Sequence, residues 1–361
     1  MEHKHPRPDA APPVSYDLFL RRKWTALAAL LAVLIALVLF SLTTGSSGIT
    51  LRQVLETVLG RGTAQTEAIV FRVRLPRVAT AVVVGAALAL SGCVMQNVLH
   101  NPLASASTLG VSQGAAFGAA LAIIALDAGV QNVANAGTAI TISSPGTVTV
   151  CAFAGGLATT VFVLALSRLR GVSPATMILA GVALSSMFTG ATTLLQYFAD
   201  DVQVATVVYW TFGDLGRPGW REIAMIGLTS LAALLFFLWN RWNYNALESG
   251  AATAKSLGVN VELLTYASMA ACTLIAAMSV AFVGVISFVG LVAPHMIRRF
   301  TGNDYRFLIP GSALGGSILL LLGDLVSKSI LSPIVLPIGA ITSFLGAPLF
   351  LWMLFKGREH L

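Results

Sequence analysis

Ten apolar runs separated by short polar turns fill most of this chain, and they leave it few folds to choose from. They lie near 24–42, 76–99, 106–126, 147–168, 175–198, 221–240, 262–285, 287–300, 308–331 and 338–356. A run of roughly 20 apolar residues crosses the hydrocarbon core of a bilayer as a helix, since a helix satisfies its own backbone hydrogen bonds there. With 56% hydrophobic and only 10% charged residues, the chain cannot clothe a water-soluble surface. The pattern predicts an all-α polytopic membrane protein with ten transmembrane helices over residues 21–361, the eighth being the shortest. Residues 1–20, with Pro6, Pro8, Pro12 and Pro13, read as a disordered tail, and the first span lacks a small-residue cleavage site of the kind that marks a removable signal.

Ten spans put both termini on one side, and the distribution of cations chooses that side. Cytoplasmic termini place Lys4, Arg7, Arg21, Arg22, Lys23, Arg168, Arg170, Arg241, Lys255, Arg298, Arg299, Arg306, Lys356 and Arg358 inside, the majority of the 22 Lys and Arg. The remainder are Arg52, Arg61, Arg72, Arg74, Arg77, Arg217, Arg221 and Lys328. Three of these crowd into FRVRLPR at 71–77, just before the second span, where an ordinary outer loop has no need of them. The net charge of +7 follows from the inside bias, and no basic stretch is interleaved with stacking aromatics, so no nucleic-acid partner is expected.

Chemistry is sparse along the chain. No paired carboxylates, His-Glu zinc spacing or Ser/His/Asp order falls on a common face at membrane depth, so no catalytic residue is assigned. Cys93, Cys151 and Cys272 stand singly in apolar segments without metal-ligand spacing and read as small buried residues. Met95, Met177, Met187, Met269 and Met278 read as adaptable packing. The stretch from Gly250 to Ser256 mimics a phosphate loop, but it lacks the glycine before Lys255 and follows no strand, so ATP hydrolysis is not expected here.

Five features remain. Asp324, in LLLLGDLVSKS, is an acid within a span, where a carboxylate has a partner or a task. Lys328 lies one helical turn on, either as its ion-pair partner or as a further external cation beside the arginines. His295, after Pro294, is either hydrogen-bonded structure or a relay. The polar stretch from Trp242 to Val261 reads as two short helices broken near Gly250 and closed by Gly258: a compact helical knob at the membrane surface that can receive force from a separate motor, or an interfacial loop. The run 85–92 followed by Asn101-Pro102-Leu103-Ala104, set beside 276–284 leading into 290–295, hints at an inverted repeat of Gly-interrupted segments that pack closely.

The residues also carry a likeness. RLPR at 74–77, GAALALSGCVMQNVLHNPLA at 85–104, LGVSQGA at 109–115, LAGVAL at 179–184, SLGV at 256–259, FVGLVAPHMIRR at 288–299 and LPIGAITSFLGAPLFLWML at 336–354 stand in the order and spacing of the FecCD family. From about Leu18 to Lys356 the chain resembles these permease subunits of type II ABC importers for iron siderophores, haem and cobalamin.

The resemblance implies ten helices per subunit, a permease homodimer embedded in lipid, two cytoplasmic ATP-binding subunits that carry ATP and magnesium, and an external substrate-binding protein. No cofactor is expected on this chain. It further implies that Arg74, Arg77 and Lys328 dock the binding protein. Asn245, Ala246, Leu247, Glu248, Lys255, Leu257 and Gly258, within 243–258, match the coupling helices on the ATPase. Asn101 and Leu103 match inner gate positions, with Ser173 and Pro174 standing where the family commonly shows small hydroxyls. The implied location is the cell inner membrane, multi-pass, with both termini cytoplasmic. The implied activity is import of an iron complex by alternating access, along a pathway lined largely by the fifth and tenth spans. Cobalamin or an oxyanion such as molybdate are alternatives. A stand-alone secondary transporter is the reading from another class; it needs an intramembrane coupling-ion site, for which Asp324 is the candidate.

Overall fold

Each of the ten apolar runs becomes helical. A computed structural model describes residues 16–45, 48–128, 144–170 and 174–357. In chain order the helices are α1 (Tyr16–Thr43), α2 (Leu51–Val58), α3 (Ala64–Ile69), α4 (Leu75–Val98), α5 (Val111–Ala120), α6 (Pro145–Arg170), α7 (Pro174–Tyr197), α8 (Asp201–Thr211), α9 (Trp220–Trp239), α10 (Arg241–Glu248), α11 (Ala251–Ser256), α12 (Val261–Val283), α13 (Val289–Thr301), α14 (Tyr305–Ser329) and α15 (Ile338–Gly357). Among the described residues no strand forms. Among the described residues seven helices are long and apolar enough to cross a membrane by themselves, and the stretches Val111–Ala125 and Ile338–Met353 are shorter apolar helices. The eighth run, α13, is indeed short and ends at Gly302, whose positive φ of 69° turns the chain into α14. Of the predicted tail, residues 1–15 lie outside the described residues, and 16–20 already belong to α1.

The hub of the bundle is α4. It packs against α14, α12, α13 and α9, while α5 pairs with α6 and α1 lies on α14. In the stretch Ala64–Val98, 78% of the most apolar window is buried, against 11% in α7. Glycine makes the hub possible: a Cβ on Gly85 would overlap the backbone of Gly316 in α14, and one on Gly92 would overlap the carbonyl of Gly290 in α13. The Gly-interrupted segments singled out as a possible repeat thus touch each other directly. Helix-to-helix hydrogen bonds add direction, with Ser317 Oγ donating to the Val82 carbonyl at 2.7 Å and Thr160 paired with Thr273 at 2.7 Å.

The RLPR segment sits on a helical irregularity. Between α3 and α4 one π-helical turn, Val70–Arg74, keeps the helix continuous from Ala64 to Val98. Pro76 explains it: proline has no N–H for the Arg72 carbonyl and its ring crowds that oxygen, so the turn widens and the Leu75 N–H bonds to Val70 instead. The wider turn aims Arg74 into the protein, where it is buried, while Arg72 remains exposed.

Candidate functional site

Two ends of the bundle carry the polar groups, and α4 joins them. Arg74 precedes its first turn, which holds Arg77, and its last turn holds Asn97, which faces α10. They are called here the RLPR end and the knob end.

At the RLPR end the fully buried Asp324 of α14 organises the cations. Its Oδ1 accepts a hydrogen bond from Arg77 Nε at 2.7 Å, and its Oδ2 lies 2.5 Å from Lys328 Nζ. The Lys328 pair is the helical-turn pairing, one of the two readings that its spacing allows. The Arg77 contact spans a separation of 247 residues and was not expected. Arg77 Nη1 also reaches Asp214 Oδ1 at 3.1 Å, in the loop before α9. Arg74 donates to the carbonyl of Leu42 at the end of α1. The three sequence-selected cations therefore converge: they line one cleft of about 170 Å³ together with Gly45, Val73 and Pro333. The arrangement also corrects the picture of bare surface charges, because Arg77 and Lys328 are held by an acid that burial forbids to stay unpaired. Arg52, Arg61, Arg72, Arg217 and Arg221 are the exposed cations of this end.

The knob end is built on hydrogen bonds from α10 into the bundle. Gly250, with φ of 105°, breaks the polar stretch into two helices, and Gly258, with φ of 85°, closes the second. Tyr244 and Leu247 are buried, and the Tyr244 hydroxyl meets Ser268 Oγ at 2.7 Å; burial pushes its phenol above the ordinary tyrosine range. Asn245 Oδ1 accepts from the Tyr305 N–H at 2.8 Å, and its Nδ2 donates to Asp304 Oδ1 at 3.2 Å. Asp304 in turn caps α14, binds Arg306 and meets Lys23 of α1 at 3.7 Å.

Glu248 departs from expectation. Expected among the residues that meet the ATPase, it turns its carboxylate to the bundle, accepting from Asn97 Nδ2 at 3.0 Å, Asn303 Nδ2 at 2.9 Å and the Tyr305 hydroxyl at 3.3 Å. Arg298 of α13 joins through that hydroxyl at 3.2 Å. The sequence-selected set thus divides by face. Asn245, Leu247 and Glu248, with the half-buried Ala246, anchor the knob, whereas Lys255, Leu257 and Gly258 are exposed on its far side.

Of the gate candidates, Asn101 folds its own turn, its Oδ1 accepting the Leu103 N–H at 2.8 Å, and the Leu103 side chain stands exposed. Pro174 opens α7 and lines a cavity of about 330 Å³ with His100, Leu247 and Ala251, so the turn after α4, the start of α7 and the knob meet there. Ser173 lies outside the described residues. Among the described residues no group of three or more His, Cys, Asp or Glu is placed to hold a metal ion. His295 is half-buried in α13 with Arg298 and Arg299 close by, and the geometry assigns it no task.

Asp214 was missed as a member of the RLPR-end network. Its signal in sequence was its place beside Gly213 in the polar segment 210–220, which also carries Arg217.

Comparison with known proteins agrees with this arrangement. A chain of Methanocaldococcus jannaschii described as an ABC transporter permease protein is 47% identical, over 95% of this chain and 98% of that one. The hemin transport system permease protein of Yersinia pestis is 36% identical over 80% of this chain and 83% of its own. The vitamin B12 import system permease protein of Escherichia coli is 37% identical over 82% and 86%. A solved chain from an inward-facing ABC transporter, described as of metal-chelate type, superposes with a TM-score of 0.79 at 30% identity, covering 92% of this chain and 99% of that one. With the profile of the FecCD transport family matching residues 33–356, the chain belongs to that family.

Proposed function

We propose that the chain is the membrane-spanning permease subunit of an ATP-binding cassette importer that moves a metal chelate, first of all an iron complex such as a siderophore or haem, into the cytoplasm. The observation that carries this reading is the family match across residues 33–356, together with relatives that handle hemin and vitamin B12. The vitamin B12 relative favours cobalamin as the second reading.

In this reading the RLPR end faces outward and receives a loaded binding protein, while the knob end lies in the cytoplasm with both termini and meets the ATPase. The exposed face of the knob, with Lys255, Leu257 and Gly258, supports contact with a motor, and the anchored face supports transmission of its movement to α4, α13 and α14. Hydrolysis of ATP belongs to that motor. The exposed side chains of α7 and α15, among them Leu179, Leu194, Phe344 and Phe355, support a second copy across a shared pathway. At the outer end, Arg74, Arg77 and Lys328 meet acids of the binding protein, and those acids exchange with Asp324 and Asp214 for Arg77 and Lys328. Such rim charges set orientation and association rate more than affinity.

The test is a mild-detergent purification of the tagged chain from its native membrane, with mass spectrometry of the retained proteins and an elemental and absorbance scan of any binding protein. An ATPase at equal stoichiometry is the expected result. A homodimer with no ATPase, after controls for stripping, would overturn the importer reading.

A further inference from the structure

A wide cavity lies at the RLPR end, where α8, the loop before α9 and the segment before α15 meet. It has a volume of about 810 Å³, within the size range of sites for drug-sized ligands. Its walls include Arg77, Tyr209, Phe212, Asp214, Arg217 and Leu336. The walls are stitched in place by backbone bonds, from the Asp214 N–H to the Val283 carbonyl at 2.8 Å and from the Gly339 N–H to the Phe212 carbonyl at 3.0 Å.

The charges of this cavity do not cancel. Asp214 Oδ1 is already shared by Arg77 Nη1 at 3.1 Å and the Gly216 N–H at 2.9 Å, and the other acid on Arg77, Asp324, is balanced by Lys328. Among the described residues no carboxylate hydrogen-bonds Arg217, and Asp214, which attracts it at longer range, is the acid already bound to Arg77. The Arg217 guanidinium is instead held 6.0 Å from the ring centroid of Trp210, which is itself buried and so fixes the position. One positive charge is thus left on a wall that also shows apolar surface: Tyr209 is 60% exposed, Phe212 39% and Ile334 65%. A planar fork of donors beside aromatic faces recognises an anionic ligand that can stack.

We propose that this cavity is a reception site for an anionic metal chelate bearing aromatic groups, with Arg217 binding its negative charge and Tyr209 and Phe212 its flat faces. The proposal rests on the importer reading above and narrows its substrate to that chemical class. A cationic aliphatic chelate gains nothing from either contact.

The test uses the full chain in nanodiscs of zwitterionic lipid, without motor or binding protein, and equilibrium binding of two radioiron probes. One is a ferric tripodal tris-catecholate, anionic and aromatic; the other is ferrioxamine, cationic and aliphatic. The catecholate is expected to bind at least about tenfold more tightly, the scale of one charge-assisted contact. Arg217→Glu removes that margin and Arg217→Lys, which keeps the charge but loses the planar fork, keeps part of it, in variants whose melting curves match the parent. Equal binding of the two probes, or a margin that survives Arg217→Glu, overturns the proposal. Because no ATPase takes part, failure here leaves the importer reading intact, and failure to recover an ATPase in the purification leaves this binding result intact.

Discussion

Removing the carboxylate of Glu248 should loosen the knob from the membrane helices without unfolding either. Three donors converge on that carboxylate, from Asn97, Asn303 and Tyr305. A hydrogen bond to a charged group contributes about 1.5–3 kcal/mol net, and the exposure of Glu248 to water discounts the sum to about 2–3 kcal/mol. Asn97 adds to the loss, because it is buried and keeps only the Tyr244 carbonyl at 3.2 Å as a partner for its Nδ2. At about 1.4 kcal/mol per factor of ten, Glu248→Ala raises the population of the detached knob about 30- to 150-fold. Native-state hydrogen exchange reads that population directly for amides of α10 and α11. The expected result is faster exchange of the knob by that factor, with α4 and α14 unchanged, and with fewer chelates transported per ATP in the assembled transporter. Glu248→Gln should fall between, since the amide keeps one acceptor oxygen but turns a second donor toward Asn97 or Asn303. Unchanged protection of residues 241–258 in the alanine variant would refute the reasoning, because it would mean that Tyr244, Asn245 and Leu247 suffice to hold the knob.

Three further outcomes follow from the same contacts. Asp324→Ala leaves Arg77 and Lys328 beside an empty buried position and should destabilise the protein by about 3–5 kcal/mol, with part of the loss recovered when Lys328→Met is added; a detergent melt that finds the single variant as stable as the parent contradicts the network. Gly92→Ala forces α4 from the Gly290 backbone and should cost about 1–3 kcal/mol, more than the same change at Gly190, which has open space around it; equal melting temperatures would show that the close approach is dispensable. Partial burial pushes the Asp304 carboxyl up, but hydrogen bonds from Arg306 and Asn245 outweigh it and hold the group below its ordinary value. A depressed carboxyl contributes stability above the unfolded value near 3.8 and loses it as pH falls through the folded one, so the melting gap between the parent and Asp304→Asn should close with acidification below about pH 4. A gap that persists at lower pH would mean that Asp304 acts through shape rather than charge.

What was legible in the sequence is what a bilayer or a short segment dictates locally. The ten runs could be placed because lipid forbids unpaired backbone, and the break and closure of the knob could be placed because Gly250 and Gly258 supply left-handed turns. The Lys328–Asp324 pair follows from helical spacing alone. Illegible were the partners that only the bundle brings together: Arg77 for Asp324 and Asn97 for Glu248, separated by 247 and 151 residues. The same long reach hides the bonds of Glu248 from a reading of sequence, since polar composition marks a segment as outside lipid but not which of its faces is docked. The cations, chosen for their unusual place, turn out to be arranged by acids. With 15 Asp and Glu in the whole chain, Asp324 joins α4 to α14, Asp304 joins α1 to α14 and α10, and Glu248 joins α10 to α4 and α14. An acid near the membrane is tolerated only when several donors surround it, and several donors must come from several helices. In a chain this apolar it is therefore the scarce acids that mark the joints of the bundle. Arg217, with no hydrogen-bonded carboxylate among the described residues and a place on the cavity wall, lies outside these joints, so its removal should change what the protein binds more than how it folds.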